Sequence, residues 1–267
     1  MARISALFVY PIKSCAGIAV DAAQVQPRGL EFDRRFMLVD GNGRFLTQRQ
    51  LPQMALLATS IDGSVLNVTR PDGDALTVPL VPEFDRSIAV KVWRSQLEAQ
   101  LADDAANDWF STFLERSVRL VYMHEDQHRL VSRDRATQPG DEVSFADGAP
   151  LLLTSGGSLA DLNERLSRSV VMQRFRPNIV VDEPAPWVED GWKRLKIGAT
   201  ELEVGWSCAR CTMTTVDPDT GVRDEDGEPL ATLRTFRRDG AAVLFGQNLL
   251  TRGHGTLRVG DTVEVIE

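Results

Sequence analysis

The apolar positions of this chain fall mostly in short runs cut by turn residues. Ile4 to Ile12 is one such run, ending at a polar corner, Lys13-Ser14-Cys15. Arg35–Asp40 and Arg44–Gln50 flank Gly41-Asn42-Gly43, and Ser64–Thr69 and Ala75–Leu80 flank Pro71-Asp72-Gly73. Both patterns predict β-hairpins, because Gly and Asn accept the positive φ of tight turns. The period changes between Asp104 and Leu114, where Trp109, Phe110, Phe113 and Leu114 sit at helical spacing and predict a helix. Arg119–Tyr122 returns to strand. The polar stretch from Glu125 to Asp141 reads as an exposed connector.

The second half opens on an apolar strand, Ala149–Leu153. Ser158 is placed as the N-cap of a helix from Leu159 to about Val170, with Asp161 at the capping-box position. Strands are expected over Arg176–Val181, Val243–Leu249 and Leu257–Ile266, with a hairpin over Leu195–Val204. The whole reads as α+β, mainly β, a barrel-like fold with added helices. It divides into a β-rich N-terminal domain, residues 1–95, and a second domain, residues 96–267.

A hydrophobic share of 43% over 267 residues supports a buried core. The net charge of -8 argues against a nucleic-acid surface, which needs a basic face. It leaves room for a local cationic pocket. Only four of the 30 basic residues are Lys, so Arg is the default cation. No apolar stretch approaches the roughly 20 residues of a membrane helix. The N-terminal run lacks the features of a signal peptide. A cytoplasmic protein without a membrane partner is therefore expected.

His124-Glu125-Asp126-Gln127-His128 spells the zinc-protease pattern H-E-x-x-H, but the pattern needs a helix and the flanking residues do not supply one. Cys208 and Cys211 form C-x-x-C. A structural zinc wants two further ligands, and Cys15 is the one cysteine left. The pair can be small core residues, or Arg210 beside Cys211 can favour a metal-binding thiolate. Lys13-Ser14, Arg34-Arg35 and Arg174-Phe175-Arg176 place cations at strand ends, where they can grip a phosphate or make ordinary surface ion pairs. Asp147-Gly148-Ala149 precedes a strand as a turn would, and Gly246 beside Gln247 and Asn248 can let a ligand approach a strand.

Taken together, Val9–Cys15, Arg34–Val39, Ser158–Asn163, Phe175–Ile179, Cys208–Gly221 and Leu244–Gln247 resemble the MOSC superfamily in its amidoxime-reducing branch, in family order across nearly the whole chain. The resemblance implies an N-terminal MOSC-associated β domain packed on a MOSC β-barrel with peripheral helices. It also implies a molybdenum-molybdopterin cofactor (Moco) with Cys211 as the metal ligand, while Cys208 falls on a family cysteine that is not the ligand. Lys13, Ser14, Arg35 and Arg176 match positions that hold the pterin and its phosphate. Arg210, Asp147 and Asn248 match positions lining the site, with Asp147 a candidate proton relay. The implied activity is reduction of N-hydroxylated substrates with electrons from a separate donor, a ferredoxin, a cytochrome or a flavoprotein. A non-catalytic carrier of the cofactor, or a sulfur-handling protein, is the alternative.

Overall fold

The computed structural model describes residues 2–267. Strands dominate it, with α-helices at Asp104–Leu114, Gly156–Arg165 and Leu230–Phe236. Its largest sheet runs Val263–Val265, Arg194–Ile197, Thr200–Ala209, Ala242–Thr251, Leu151–Ser155, Ile179–Val181, Ile4–Val9 and Ile18–Val20. Ile4 N–H donates to Asp261 O at 2.9 Å and Val263 N–H to Ala2 O at 2.8 Å, so the two sides of this sheet meet and close it into a barrel. Leu7, Leu151, Leu153, Ile179, Leu202 and Leu249 fill the interior. Ile179, Val180 and Val181 are all buried, as expected of a strand covered on both faces.

The chain's first strand thus belongs to the barrel that residues from Leu151 onward build, through its pairing with Ile179–Val181. Residues 36–122 leave the barrel for a second layer. Phe36–Val39, Arg119–Tyr122, Ser95–Leu101 and Arg86–Val92 form one sheet, and Ala58–Asp62, Val65–Thr69 and Ala75–Pro79 form another. Their inward faces share a core of Phe36, Leu38, Met54, Leu66, Phe110 and Leu120. The alternation of Val65–Thr69, with Leu66 and Val68 inside, is the period-2 pattern of a half-covered strand. The expected division between residues 95 and 96 falls within a hairpin, because Arg86–Val92 and Ser95–Leu101 pair along their whole length.

The helix Asp104–Leu114 stands where its period places it. The Asp103 carboxylate accepts from Ala106 N–H at 2.8 Å, and Ala106, Phe110 and Leu114 bury one face. The second helix begins earlier than expected, at Gly156, with Ser155 as its cap. Ser158 is therefore no cap. It lies inside, donating to Glu189 Oε1 at 2.6 Å and accepting from Trp187 N–H at 2.8 Å. The expected strand Leu257–Ile266 is broken by a turn at Gly260, whose φ is 92°, and its two parts join different sheets. The connector is less exposed than its polarity suggests. Arg129 is buried there and donates to the carbonyls of Ser144, Ala146 and Asp147. No described helix is long and apolar enough to cross a membrane.

Candidate functional site

Three strand-end segments turn sharply beside one another. Lys13 and Ser14 follow Ile4–Val9, Arg34 precedes Phe36–Val39, and Arg176 precedes Ile179–Val181. Ser14, Arg34 and Arg176 have φ of 70°, 52° and 55°. Side-chain-bearing residues seldom occupy that left-handed region, and they cluster there at ligand sites because surrounding structure must hold the strain. Asn178 ties the segments together. Its Nδ2 donates to Phe8 O and Asp33 Oδ1, while its Oδ1 accepts from Leu152 N–H and Arg34 Nη1.

All three segments face one cavity. Asp147 and Gly148 enter it from the loop before Leu151–Ser155, Asn248 from Ala242–Thr251, and Cys208, Arg210 and Cys211 from the end of Thr200–Ala209. Seven of the eight site residues expected from sequence line it: Lys13, Ser14, Asp147, Arg176, Arg210, Cys211 and Asn248.

Arg35 does not line this cavity. Its guanidinium pairs with Glu125 at 2.8 Å and donates to Met123 O, with its Cζ 5.3 Å from the Tyr122 ring centroid. Arg34 faces the cavity instead, as neighbouring residues entering a strand point to opposite sides. Gly246 is a second correction. A Cβ there would stand 2.7 Å from Leu153 O, so the missing side chain admits the neighbouring strand rather than a ligand. Arg210 donates to Cys208 Sγ at 2.9 Å, and the cation beside Cys211 is Arg49, with Nη1 at 3.6 Å from Sγ. The His124–His128 phrase is not helical; His128 meets Glu142 and His124 meets Asp126. Among the described residues no cluster of three or more His, Cys, Asp or Glu could hold a metal by itself.

The cavity is strongly cationic. Lys13 Nζ donates to Phe145 O at 2.8 Å and pairs with Asp147. Burial pulls the Lys13 ammonium down to about 8, the Asp147 carboxylate resisting it. Burial pushes the Asp147 carboxyl upward, but the Lys13 charge and hydrogen bond outweigh that and hold it well below the usual carboxylate range. Asp147 is thus a fixed anion at neutral pH, and Lys13 is the group of the pair poised to exchange a proton. Arg34 and Arg176 lie over the Tyr10 ring, at 4.5 and 4.3 Å from its centroid. Burial lowers Arg176 to about 10, still charged at neutral pH, and raises Tyr10 to about 12.

Several of these groups are buried without a partner: Ser14 Oγ, Arg176 Nη2 and Arg210 Nε. A buried donor left unsatisfied is costly, and a cluster of them around one cavity calls for an acceptor-rich ligand. A phosphate satisfies such donors, and Lys13 has one N–H beyond the two it already donates. The accessible Cys211 thiol in the same cavity is a soft ligand suited to molybdenum. The donor set therefore fits a phosphate-bearing, metal-carrying cofactor. Sequence reasoning named Arg34 among the candidate phosphate-gripping cations but assigned the pocket to Arg35, and it missed Arg135 and Trp206, which also line the cavity. Trp206 lies two residues before Cys208, but nothing local marks Arg135.

The sequence matches the MOSC N-terminal beta barrel domain over residues 1–117 and the MOSC domain over residues 140–264. Human mitochondrial amidoxime-reducing component 1 is 34% identical over 281 residues, covering 98% of this chain and 82% of the relative. Bovine mitochondrial amidoxime reducing component 2 is 34% identical, covering 97% and 82%. Among solved structures, the YuaD protein of Bacillus subtilis aligns over 98% of this chain and 93% of its own with a TM-score of 0.43 and 9% identity. The paired domain matches and full-length similarity settle the kinship: this chain belongs to the MOSC family, as a relative of the mitochondrial amidoxime-reducing components.

Proposed function

We propose that this chain holds a molybdenum-molybdopterin cofactor on Cys211 and reduces N-hydroxylated compounds with electrons from a separate donor protein. The observation that carries the reading is the meeting, in one cavity, of an accessible thiol with unpartnered buried donors from both halves of the chain. The names of the relatives supply the substrate class.

In the net reaction the N–O bond of an N-hydroxyl group breaks. Two electrons and two protons are consumed, and the reduced nitrogen compound and water leave. Molybdenum held there would supply a centre able to take up the oxygen while giving up two electrons. The chain's own residues bind, orient and protonate. Cys211, at the start of the turn Thr212–Thr215, presents Sγ as the metal's protein ligand. Ser14 Oγ, Arg176 Nη2 and Arg210 Nε, which are buried without partners, and the remaining Lys13 N–H would donate to the phosphate and pterin. Lys13 Nζ also stores a proton beside Asp147 Oδ1, so the relay expected of Asp147 alone belongs to the pair.

The test is turnover of benzamidoxime by molybdenum-loaded protein with an artificial electron donor. Reduction to benzamidine is expected. Stoichiometric molybdenum without turnover would favour a cofactor carrier instead.

A further inference from the structure

The Asp147–Gly148 step meets two tryptophans that the cations and the thiol do not explain. One is Trp93, from the turn joining Arg86–Val92 to Ser95–Leu101, whose Nε1 donates to Asp147 Oδ1 at 3.2 Å. Trp206 of the long barrel strand, which lines the cavity, stands beside Gly148. A Cβ added to Gly148 would stand 3.8 Å from Trp206 Cζ2 and 3.3 Å from Arg135 Nη1. Each indole carries a guanidinium, Arg49 at 4.8 Å from the Trp93 centroid and Arg135 at 5.1 Å from that of Trp206. Because Arg49 also reaches Cys211 Sγ, the Trp93 ring stands one guanidinium away from the sulfur.

Trp93 contributes little to any core. The residue is 46% exposed, and its aromatic neighbour is Phe45 at 5.1 Å with the planes tilted by 54°. Its φ is 55°, a conformation bulky residues rarely adopt and one a Gly or Asn would fill with less strain. Such strain is sustained when the surroundings hold it, as Asp147 and Arg49 do here, and it recurs at ligand clamps.

We propose that Trp93 and Trp206 form an aromatic clamp over the Asp147–Gly148 floor, selecting substrates whose N-hydroxyl group is conjugated to a flat aromatic ring. This rests on the reductase reading above. The substrate ring stacks on the exposed indole, and the Asp147 carboxylate accepts an N–H from the amino group beside the N–OH. Gly148 leaves the floor open, since a methyl there would fill the space up to contact with Trp206 and push the Arg135 guanidinium aside by a few tenths of an ångström.

The experiment compares benzamidoxime with acetamidoxime on molybdenum-loaded enzyme with an artificial donor. Trp93→Ala is expected to lower the ratio of their kcat/KM values about tenfold, mainly through KM for benzamidoxime, with molybdenum content unchanged. Trp93→Phe should recover most of the ratio. Gly148→Ala, which crowds the Trp206 wall, should lower it too and serves if Trp93→Ala does not fold. A ratio within about twofold of wild type in the folded variants would overturn the clamp. If wild type reduces neither substrate, the reductase reading fails, and calorimetric binding of benzamidine against acetamidine judges the clamp on its own. A benzamidine preference lost in Trp93→Ala supports it; no preference in wild type, or one the variant keeps, overturns it.

Discussion

Two clefts in this chain are lined with arginine, and only one of them leaves an arginine of its wall with donors to spare. In the cleft beside Pro27, Asp141 and His254, every nitrogen of the Arg252 guanidinium is taken. Nε donates to Glu203 at 2.6 Å, Nη1 to Asp141 at 2.7 Å, and Nη2 to Asp141 and Thr137. In the Cys211 cavity, Arg176 meets no carboxylate and its Nη2 is left without a partner. Arg174, two residues earlier on the same wall, follows the first pattern, pairing with Asp217 at 2.8 Å and Asp224 at 2.6 Å. A buried cation whose donors are all used joins elements of the fold; one with donors left over is arranged for a ligand.

The largest effect that could break this contrast is at the sulfur. Cys211→Ala should abolish turnover and molybdenum retention while the thermal midpoint of the cofactor-free protein stays within about 2 °C of cofactor-free wild type; retained molybdenum would contradict the ligand assignment. Next in size, Arg252→Met strands Asp141 and Glu203 and should cost about 3 kcal/mol in urea unfolding, with cofactor content untouched. Arg176→Met should do the reverse, changing the stability of cofactor-free protein by less than about 1 kcal/mol while cofactor is lost on dialysis. A stability loss as large as that of Arg252→Met would erase the distinction.

The smallest effect is in pH. Lys13 releases its proton near pH 8 in the folded chain and nearer 10.5 when unfolded. Between those values the unfolded chain binds more protons, so cofactor-free protein should gain stability as pH rises through that window. Over the same range Lys13 loses its charge, and retention of the anionic cofactor should weaken. Thermal melts and dialysis at pH 7 and 9 check both signs, and Lys13→Met should flatten both responses.

Much of the fold is written locally. The helix Asp104–Leu114 and the hairpin Val65–Thr69 with Ala75–Pro79 follow from period and turn chemistry, which involve neighbouring residues alone. The pairing of Ile4–Val9 with Ile179–Val181 is not legible, because nothing in either run names a partner 170 or so residues away. The site divides the same way. Motif phrases located Lys13, Asp147, Arg176 and Cys211, but choosing between Arg34 and Arg35 needs the strand's register, where one residue decides the face. Trp93 gives no signal, and Arg49 reads only as part of an expected strand, Arg44–Gln50, that the fold turns into a loop setting Arg49 between Trp93 and Cys211.

The central claim is met most directly by counting molybdenum and pterin per chain in protein made by a cofactor-competent host. Close to one of each in wild type, with molybdenum gone from Cys211→Ala, is the expected result. Wild-type protein that purifies folded from that host with neither would contradict the account.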